Sequence, residues 1–328
     1  MKNLIKILAG IFVVASSSAF SADIQKDIFT EICIELKADA LRMGIEPQLV
    51  HQVIDSLSFK KDIVKKDGNQ PANTETTESY VNQRVRPTRV KAGKEFLHQE
   101  KAKFEHICKT FGVDFELLIS LWEVETDFGT NMGKFDSFSG MATLMTTRRK
   151  DFFKKEFLTL LQLVHNGIVR LPNLVGEWAG AHGHFQFMPT TIAKYGVDAD
   201  GDGVIDLKNS LQDAFASAAN YMRVLGWKYG QPWGYEVALT QPLQEDLVSV
   251  SSRNLKIKLP LKEWIALGVV PFNTEYVNHQ EAPAWLMVAD GQVNKYYVIF
   301  DNFKSVLRWN NSFKYGLMVC SLMDMIKS

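Results

Sequence analysis

Hydrophobic and polar positions along the chain predict helix through most of its length up to about residue 230. Residues 24–58 read as helix, broken near Gly44 and Pro47. Residues 65–80, "KKDGNQPANTETTESY", are polar and carry Gly, Pro and Asn, the composition of a surface connection. From Thr88 to Phe111 a long amphipathic helix fits, with Phe96, Leu97, Phe104 and Ile107 near helical spacing and Gly112 to close it. Asp114 then offers an N-cap for the next helix and Gly129 a stop. Residues 147–165 form a helix with a basic start and an apolar end, and residues 210–225 an Ala-rich one. The run Arg148-Arg149-Lys150 reads as a solvated or substrate-facing edge. After residue 230 the pattern changes: "EDLVSVSSRNLKIKL" and "NKYYVIF" have strand character, and "SFKYGLMVCSLMDMI" closes the chain as an apolar helix. The expected class is mainly α, with a small β element in the C-terminal part.

One helix carries an anomaly. In "LLISLWEVETDFG", residues 117–129, the carboxylates Glu123, Glu125 and Asp127 interrupt an apolar run. At about 100° per residue, Leu117, Leu118, Leu121, Trp122 and Phe128 fall within roughly 80° of Glu125, while Glu116, Ser120, Glu123 and Asp127 lie about 140–180° away. Glu123 and Asp127 therefore read as a polar face, and Glu125 stands inside the apolar stripe. Positions two apart on a helix do not face each other, so neither neighbour is its close partner. A structural acid paired with an Arg fits this setting. So does a general acid, because desolvation raises a carboxyl pKa toward the working range of a proton donor.

Composition narrows the setting. Lys and Arg number 37, as do Asp and Glu, so no overall field recruits nucleic acid. The opening "MKNLIKILAGIFVVASSSAFSADIQ" has basic Lys2 and Lys6, an apolar stretch from Leu4 to Ala15 and a small-x-small site at Ala19-Phe20-Ser21. This is the pattern of a secretory signal peptide spanning residues 1–21, too short to span a bilayer comfortably, and it implies export to the periplasm. With no Cys at the cleavage point, neither lipidation nor a stable membrane anchor is expected. Cys33, Cys108 and Cys320 are scattered without metal-ligand spacing; one disulfide plus a free thiol is open, with no pairing assigned.

Two further segments carry chemistry. "GEWAGAHGHFQFMPTT", 176–191, is Gly-rich and sets Gln186 between Phe185 and Phe187, an arrangement suited to a sugar-binding cleft. His182 and His184 point to opposite sides of an extended chain and have no third ligand nearby, so packing or hydrogen bonding is the better reading. "DADGDGVID", 198–206, places Asp198, Asp200 and Asp202 at positions 1, 3 and 5 of an EF-hand loop, Gly203 at the turn and the Val204 carbonyl at position 7. Position 12 is Asn209 instead of Glu, and Asp213 is the natural substitute. An acidic turn held by Asx hydrogen bonds is the competing reading; three alternating acids repel without a cation, which favours a structural Ca²⁺.

Together these blocks, with "WEVETDFGTNMGKFDSF", "ATLMTTRRKDFFKKEF", "LKEWIALGV" and "FDNFKSVLRWNNSFKYGLMV", resemble the lytic murein transglycosylase B family from about Tyr80 to the C-terminus. The resemblance implies a lysozyme-like helical catalytic core at about 113–230, preceded by a helical part at about 22–112 and followed by a C-terminal part at about 231–328. It implies cleavage of peptidoglycan glycan strands between N-acetylmuramic acid and N-acetylglucosamine, leaving a 1,6-anhydromuramyl end. Glu125 matches the catalytic acid, and Gln186, Tyr221 and Asn310 match cleft positions. Asp198, Asp200, Asp202, Val204 and Asp213 match a calcium loop, and no cofactor is implied for the chemistry. Glu177 stands where many members carry Ser. A hydrolytic muramidase and a non-catalytic peptidoglycan-binding scaffold are the alternatives.

Overall fold

The structure, a computed structural model, describes residues 9–68, 75–147, 149–171, 174–289 and 295–328. Lys2, Lys6 and Arg148 lie outside these residues. The chain forms two compact units, each built from two separated stretches: Met1–Pro71 with Asn131–Leu211, and Ala72–Thr130 with Gln212–Ser328. These units cut across the expected succession of N-terminal, core and C-terminal parts. No helix among the described residues is long and apolar enough to cross a membrane.

The first unit contains α1 (Ala9–Arg42), α2 (Pro47–Ser56), α3 (Lys61–Gly68), β1 (Phe135–Asp136), α7 (Ser137–Leu144), α8 (Lys150–His165), β2 (Val175–Gly176) and α9 (Pro189–Tyr195). Gly44, at φ 79°, and Pro47 at the helix start separate α1 from α2, as the sequence indicates. The polar stretch 65–80 is less of a loop than expected, because α3 extends to Gly68 and a further helix begins at Thr77. Every residue of α7 is buried, and Asp136 caps it by accepting from Ser139 N at 2.7 Å. Glu156 on α8 is 2% exposed. It accepts from Thr190 N at 2.8 Å and Thr190 Oγ1 at 2.7 Å, so a remote carboxylate serves the N-terminus of α9.

The second unit holds α4 (Thr77–Arg84), α5 (Pro87–Phe111), α6 (Phe115–Thr126), α10 (Leu211–Leu225), α11 (Leu261–Ala266), α12 (Asp301–Trp309) and α13 (Phe313–Lys327). Helix α6 packs against both α5 and α13. Phe215 of α10 lies 4.7 Å from Phe104, 5.8 Å from Phe96 and Phe115, and 5.4 Å from Trp122, ring centre to ring centre, which ties α10 to α5 and α6. Gly93 of α5 is required by close approach: a Cβ there would sit 2.5 Å from Ile326 of α13. The β element is larger than expected. Strands β3 (Gly234–Leu239), β4 (Val248–Ser249), β5 (Lys258–Pro260), β6 (Val269–Pro271), β7 (Pro283–Val288) and β8 (Tyr296–Ile299) form one sheet in the order β4-β7-β8-β3-β6, with β5 also on β7. Its core gathers Tyr235, Val237, Trp264, Leu286, Val298 and Phe300. All three cysteines are free thiols, so the disulfide left open by the sequence is not formed.

Candidate active site

Helix α6 is buried nearly all round, which corrects the wheel on one point. Glu123, assigned to a polar face, is 1% exposed and lies 2.5 Å from Arg89 Nη1 of α5. The helix is central, so its second face meets protein instead of water. Burial pushes the Glu123 carboxyl up to about 7, with Arg89 opposing. The helix also ends earlier than expected: Asp127 and Phe128 adopt left-handed φ of 51° and 55° ahead of Gly129, so Thr126 is its last residue. Asp114 starts the helix, but its side chain makes no cap hydrogen bond. It accepts instead from Trp227 Nε1 at 2.7 Å and from Gly230 N.

Glu125 sits on the last turn of α6, and its carboxyl is held from α12 and α13. Trp309 Nε1 donates to Oε1 at 2.9 Å, and the Tyr315 hydroxyl donates to the same oxygen. Both donors land on one oxygen, which leaves Oε2 as the place for a proton. Burial raises the Glu125 pKa, and the two donors oppose that shift without cancelling it. Burial and the neighbouring Glu125 charge push Tyr315 well above its ordinary value, so it remains a hydroxyl donor. The residue as a whole is partly accessible.

Of the expected cleft residues in this unit, Tyr221 on α10 stacks against Trp309, ring centres 5.2 Å apart. It therefore supports the donor to Glu125. Asn310 follows Trp309 directly, is exposed, and ends α12. Tyr315 and Trp309 were not singled out from the sequence. They lie 190 and 184 residues from Glu125, and no local pattern marks a contact at that separation. Tyr80 joins the same surroundings: burial raises its hydroxyl pKa and the Glu125 charge adds to the shift, while the Arg84 guanidinium lies 3.8 Å over its ring.

In the first unit, the Gly-rich segment folds on itself. His182 and Phe187 exchange backbone hydrogen bonds at 2.9 Å. Gly183, at φ 68°, permits close passage of Leu207, whose carbonyl oxygen would be 2.3 Å from a Cβ. Phe185 and Phe187 are each 3% exposed, so they pack inward and do not line a cleft. Gln186 adopts φ 50°. Its Nε2 donates to Gly183 O at 2.9 Å, while its Oε1 is buried without a hydrogen-bond partner. His182 is 5% exposed, and burial lowers its pKa to about 4, so it is a neutral packed imidazole. Glu177 is partly buried.

The acidic loop converges as its spacing suggests. Asp198, Asp200 and Asp202 bring carboxylate oxygens within 4.8 Å of one another on the surface. Asp198 also accepts from Gly201 N at 2.7 Å and Gly203 N at 2.8 Å, so Asx turns shape the loop that gathers the acids. Asn209, at the last loop position, turns back onto Asp206 at 2.9 Å. Asp213 lies in the first turn of α10 and is fully buried. The donor set of carboxylates around a turn glycine at φ 86° fits a hard, oxygen-seeking cation.

The chain as a whole is similar to proteins of known structure and activity. The chain is 31% identical over 245 residues to membrane-bound lytic murein transglycosylase B of Escherichia coli K12, a match covering 74% of this chain and 65% of that protein. It is similar to SltB3 of Pseudomonas aeruginosa, solved with NAG-NAM-pentapeptide (TM-score 0.84, 31% identity) and with NAG-anhNAM-pentapeptide (TM-score 0.83, 32% identity), covering 92% of this chain and 80% of that one. It is also similar to the E. coli lytic transglycosylase Slt35 solved in complex with calcium (TM-score 0.76, 26% identity, 90% and 92% covered). The fold is the lysozyme-like one of these lytic transglycosylases. With residues 29–324 matching the family described as the transglycosylase SLT domain, the chain belongs to that family.

Proposed function

We propose that this protein is a peptidoglycan lytic transglycosylase that cleaves the β-1,4 bond between N-acetylmuramic acid and N-acetylglucosamine with Glu125 as its single acid and base. The observation that carries the reading is the Glu125 carboxyl, raised in pKa by burial and held through one oxygen by Trp309 and Tyr315. Oε2 donates a proton to the glycosidic oxygen as the bond to the muramyl C1 breaks. The resulting carboxylate then takes the proton of the muramyl C6 hydroxyl as that oxygen attacks C1 and closes the 1,6-anhydro ring. The nucleophile is tethered to the reacting sugar, so no water or enzyme nucleophile has to be placed. A two-carboxylate glycosidase needs a second acid about 5–9.5 Å away to supply a nucleophile or activate water; with the C6 hydroxyl as nucleophile, Glu125 alone covers both proton transfers. The complex of the relative SltB3 with an anhydro sugar supports the same outcome.

Gln186, Tyr221 and Asn310 are assigned to orienting the glycan. Asp198, Asp200, Asp202, the Val204 carbonyl and Asp213 are assigned to a structural Ca²⁺, supported by the converging carboxylates and by the calcium complex of Slt35. Export to the periplasm by the N-terminal signal segment fits a peptidoglycan substrate.

The test is mass spectrometry of muropeptides released from purified peptidoglycan. Anhydro ends are the expected result; reducing ends would replace this reading with a hydrolytic muramidase. Glu125→Gln keeps size and hydrogen bonding but removes the transferable proton, and is expected to cut release at least about a hundredfold. Undiminished release would reject Glu125 as the acid.

A further inference from the structure

A second groove lies within the unit that holds α6, at the opposite end of that helix from Glu125. Its volume is about 490 Å³, and its walls come from the start of α6, the chain entering β3, the 3-10 helix Thr274–His279 and the end of α13. Asp114 and Glu125 are eleven positions apart, so at 1.5 Å per residue the groove and the proton donor are separated by about 16 Å along the helix.

The groove collects carboxylates. Asp114, Glu116, Glu275 and Asp324 all line it, against Lys327 and the imidazole of His279. Two of these acids are stabilised by neutral donors: Trp227 Nε1 reaches Asp114 at 2.7 Å, and Trp233 Nε1 reaches Asp324 at 2.8 Å. Lys327 is the cation that acts on both. Burial raises the pKa of both Asp114 and Asp324, the sign expected of acids whose charge is incompletely compensated.

An independent observation points to a missing partner. Tyr235 lines the same groove, is 5% exposed, and its hydroxyl is buried with no hydrogen-bond partner. A buried hydroxyl without a partner is uncommon in a folded protein, because its desolvation is then uncompensated. Asp324 and Glu275 line the groove with Tyr235, and their charges add to the burial that raises its hydroxyl pKa. The remaining wall adds Trp233 and Met323, surfaces suited to an apolar stem and, for the ring, to a cation.

We propose that this groove is a binding site for a primary alkylammonium ion, with the charged amine among Asp114, Glu275 and Asp324, a hydrogen bond to the Tyr235 hydroxyl, and the apolar stem along Trp233 and Met323. The carboxylates alone would suit a bare metal ion equally well, but the aromatic and thioether wall selects an organic cation. A free polyamine and an amine carried on a peptide side chain share this chemistry.

The indole N–H groups make the test specific. Of the seven tryptophans, Trp227 and Trp233 donate to groove acids, whereas Trp309 donates to Glu125. The full chain, labelled with ¹⁵N-tryptophan, is titrated with 1,5-diaminopentane and, separately, with Nα-acetyl-lysine methylamide. The N–H resonances of Trp227 and Trp233 are expected to shift saturably while that of Trp309 stays in place; the tighter probe identifies the source. Matched sodium chloride and 1,5-pentanediol are expected to give no saturable shift. Glu275→Gln, at an exposed position, is expected to weaken binding about two- to fivefold, and Tyr235→Phe about tenfold or more. Absence of a saturable shift with both amines, or binding unchanged in both variants, overturns the proposal. Neither result bears on lysis at Glu125, which the muropeptide assay reads separately.

Discussion

Tyr315→Phe isolates how the proton donor is tuned. The substitution removes the hydroxyl that donates to Glu125 Oε1 and leaves the ring and the Trp309 contact at 2.9 Å in place. A hydrogen bond to a charged group contributes about 1.5–3 kcal/mol. Losing a bond that favours the carboxylate raises the Glu125 pKa. The direction adds to the shift that burial already imposes. Glu125 must be protonated to cleave, so activity is lost as pH rises through its pKa, and the alkaline limb of the profile should move upward, by about one to two pH units if the full bond is lost. The rate on the plateau should fall, because a carboxyl of higher pKa is a weaker acid toward the glycosidic oxygen. The assay is initial muropeptide release from purified peptidoglycan at a series of pH values, with the melting temperature of each variant measured alongside. Trp309→Phe should move the limb in the same direction. Superposable profiles for Tyr315→Phe and the parent, at equal stability, would refute the tuning argument, and so would a limb displaced to lower pH.

Other expectations follow from the same reading. Calcium at a hundredfold excess over its dissociation constant stabilises by about 2.7 kcal/mol, so adding Ca²⁺ to chelator-treated protein should raise the melting temperature by several degrees, and Asp200→Asn should remove most of the gain; identical melting curves would dismiss the calcium loop. Glu123 is an acid whose folded pKa, about 7, exceeds its ordinary 4.5. Ionisation therefore opposes folding: stability should decline as pH rises from about 4.5 to about 7 and level off above, by at most about 3 kcal/mol, and Glu123→Gln should flatten that decline in pH-dependent melting. Phe215, fully buried among Phe96, Phe104, Phe115 and Trp122, should cost about 3–5 kcal/mol when changed to Ala, read from denaturant unfolding; a loss below about 1 kcal/mol would deny it a central place in packing.

Local signals in the sequence were legible where chain geometry alone decides them. Gly112 ends α5 in a left-handed conformation, Gly44 and Pro47 divide the first two helices, and alternating acids converge in the 198–202 turn. Signals that depend on what surrounds a helix were less so. A wheel distinguishes two faces but cannot say whether both meet protein, and Glu123 was misplaced on α6 for that reason. Asp114 has the chemistry of an N-cap, yet indole Nε1 of Trp227, 113 residues away, claims its carboxylate. The sheet was underestimated because the segments with visible strand character hold only β4, β5 and β8. Strand β6 is three residues long, β3 does not alternate strictly between apolar and polar positions, and β7 is a continuous apolar run that periodicity alone does not tell from helix.

The acid itself shows how the two kinds of information combine. Position 125 is conspicuous in sequence because a carboxylate occupies an apolar stripe, and that alone admits a structural ion pair as readily as a proton donor. The contacts separate the two. An ion pair would place a cation on the carboxyl and oppose the rise that burial imposes, as Arg89 does at Glu123 two residues earlier. Glu125 receives neutral donors instead, an indole and a phenol, which fix one oxygen without supplying the charge that would lock it as a carboxylate. A group held in position yet free to carry a proton can serve as acid and then as base. Replacing Trp309 by Lys would convert one setting into the other: the ammonium should lower the Glu125 pKa, move the alkaline limb of the activity profile downward and suppress lysis near neutral pH. An upward displacement would show that burial, and not the neutrality of the donors, decides the protonation state.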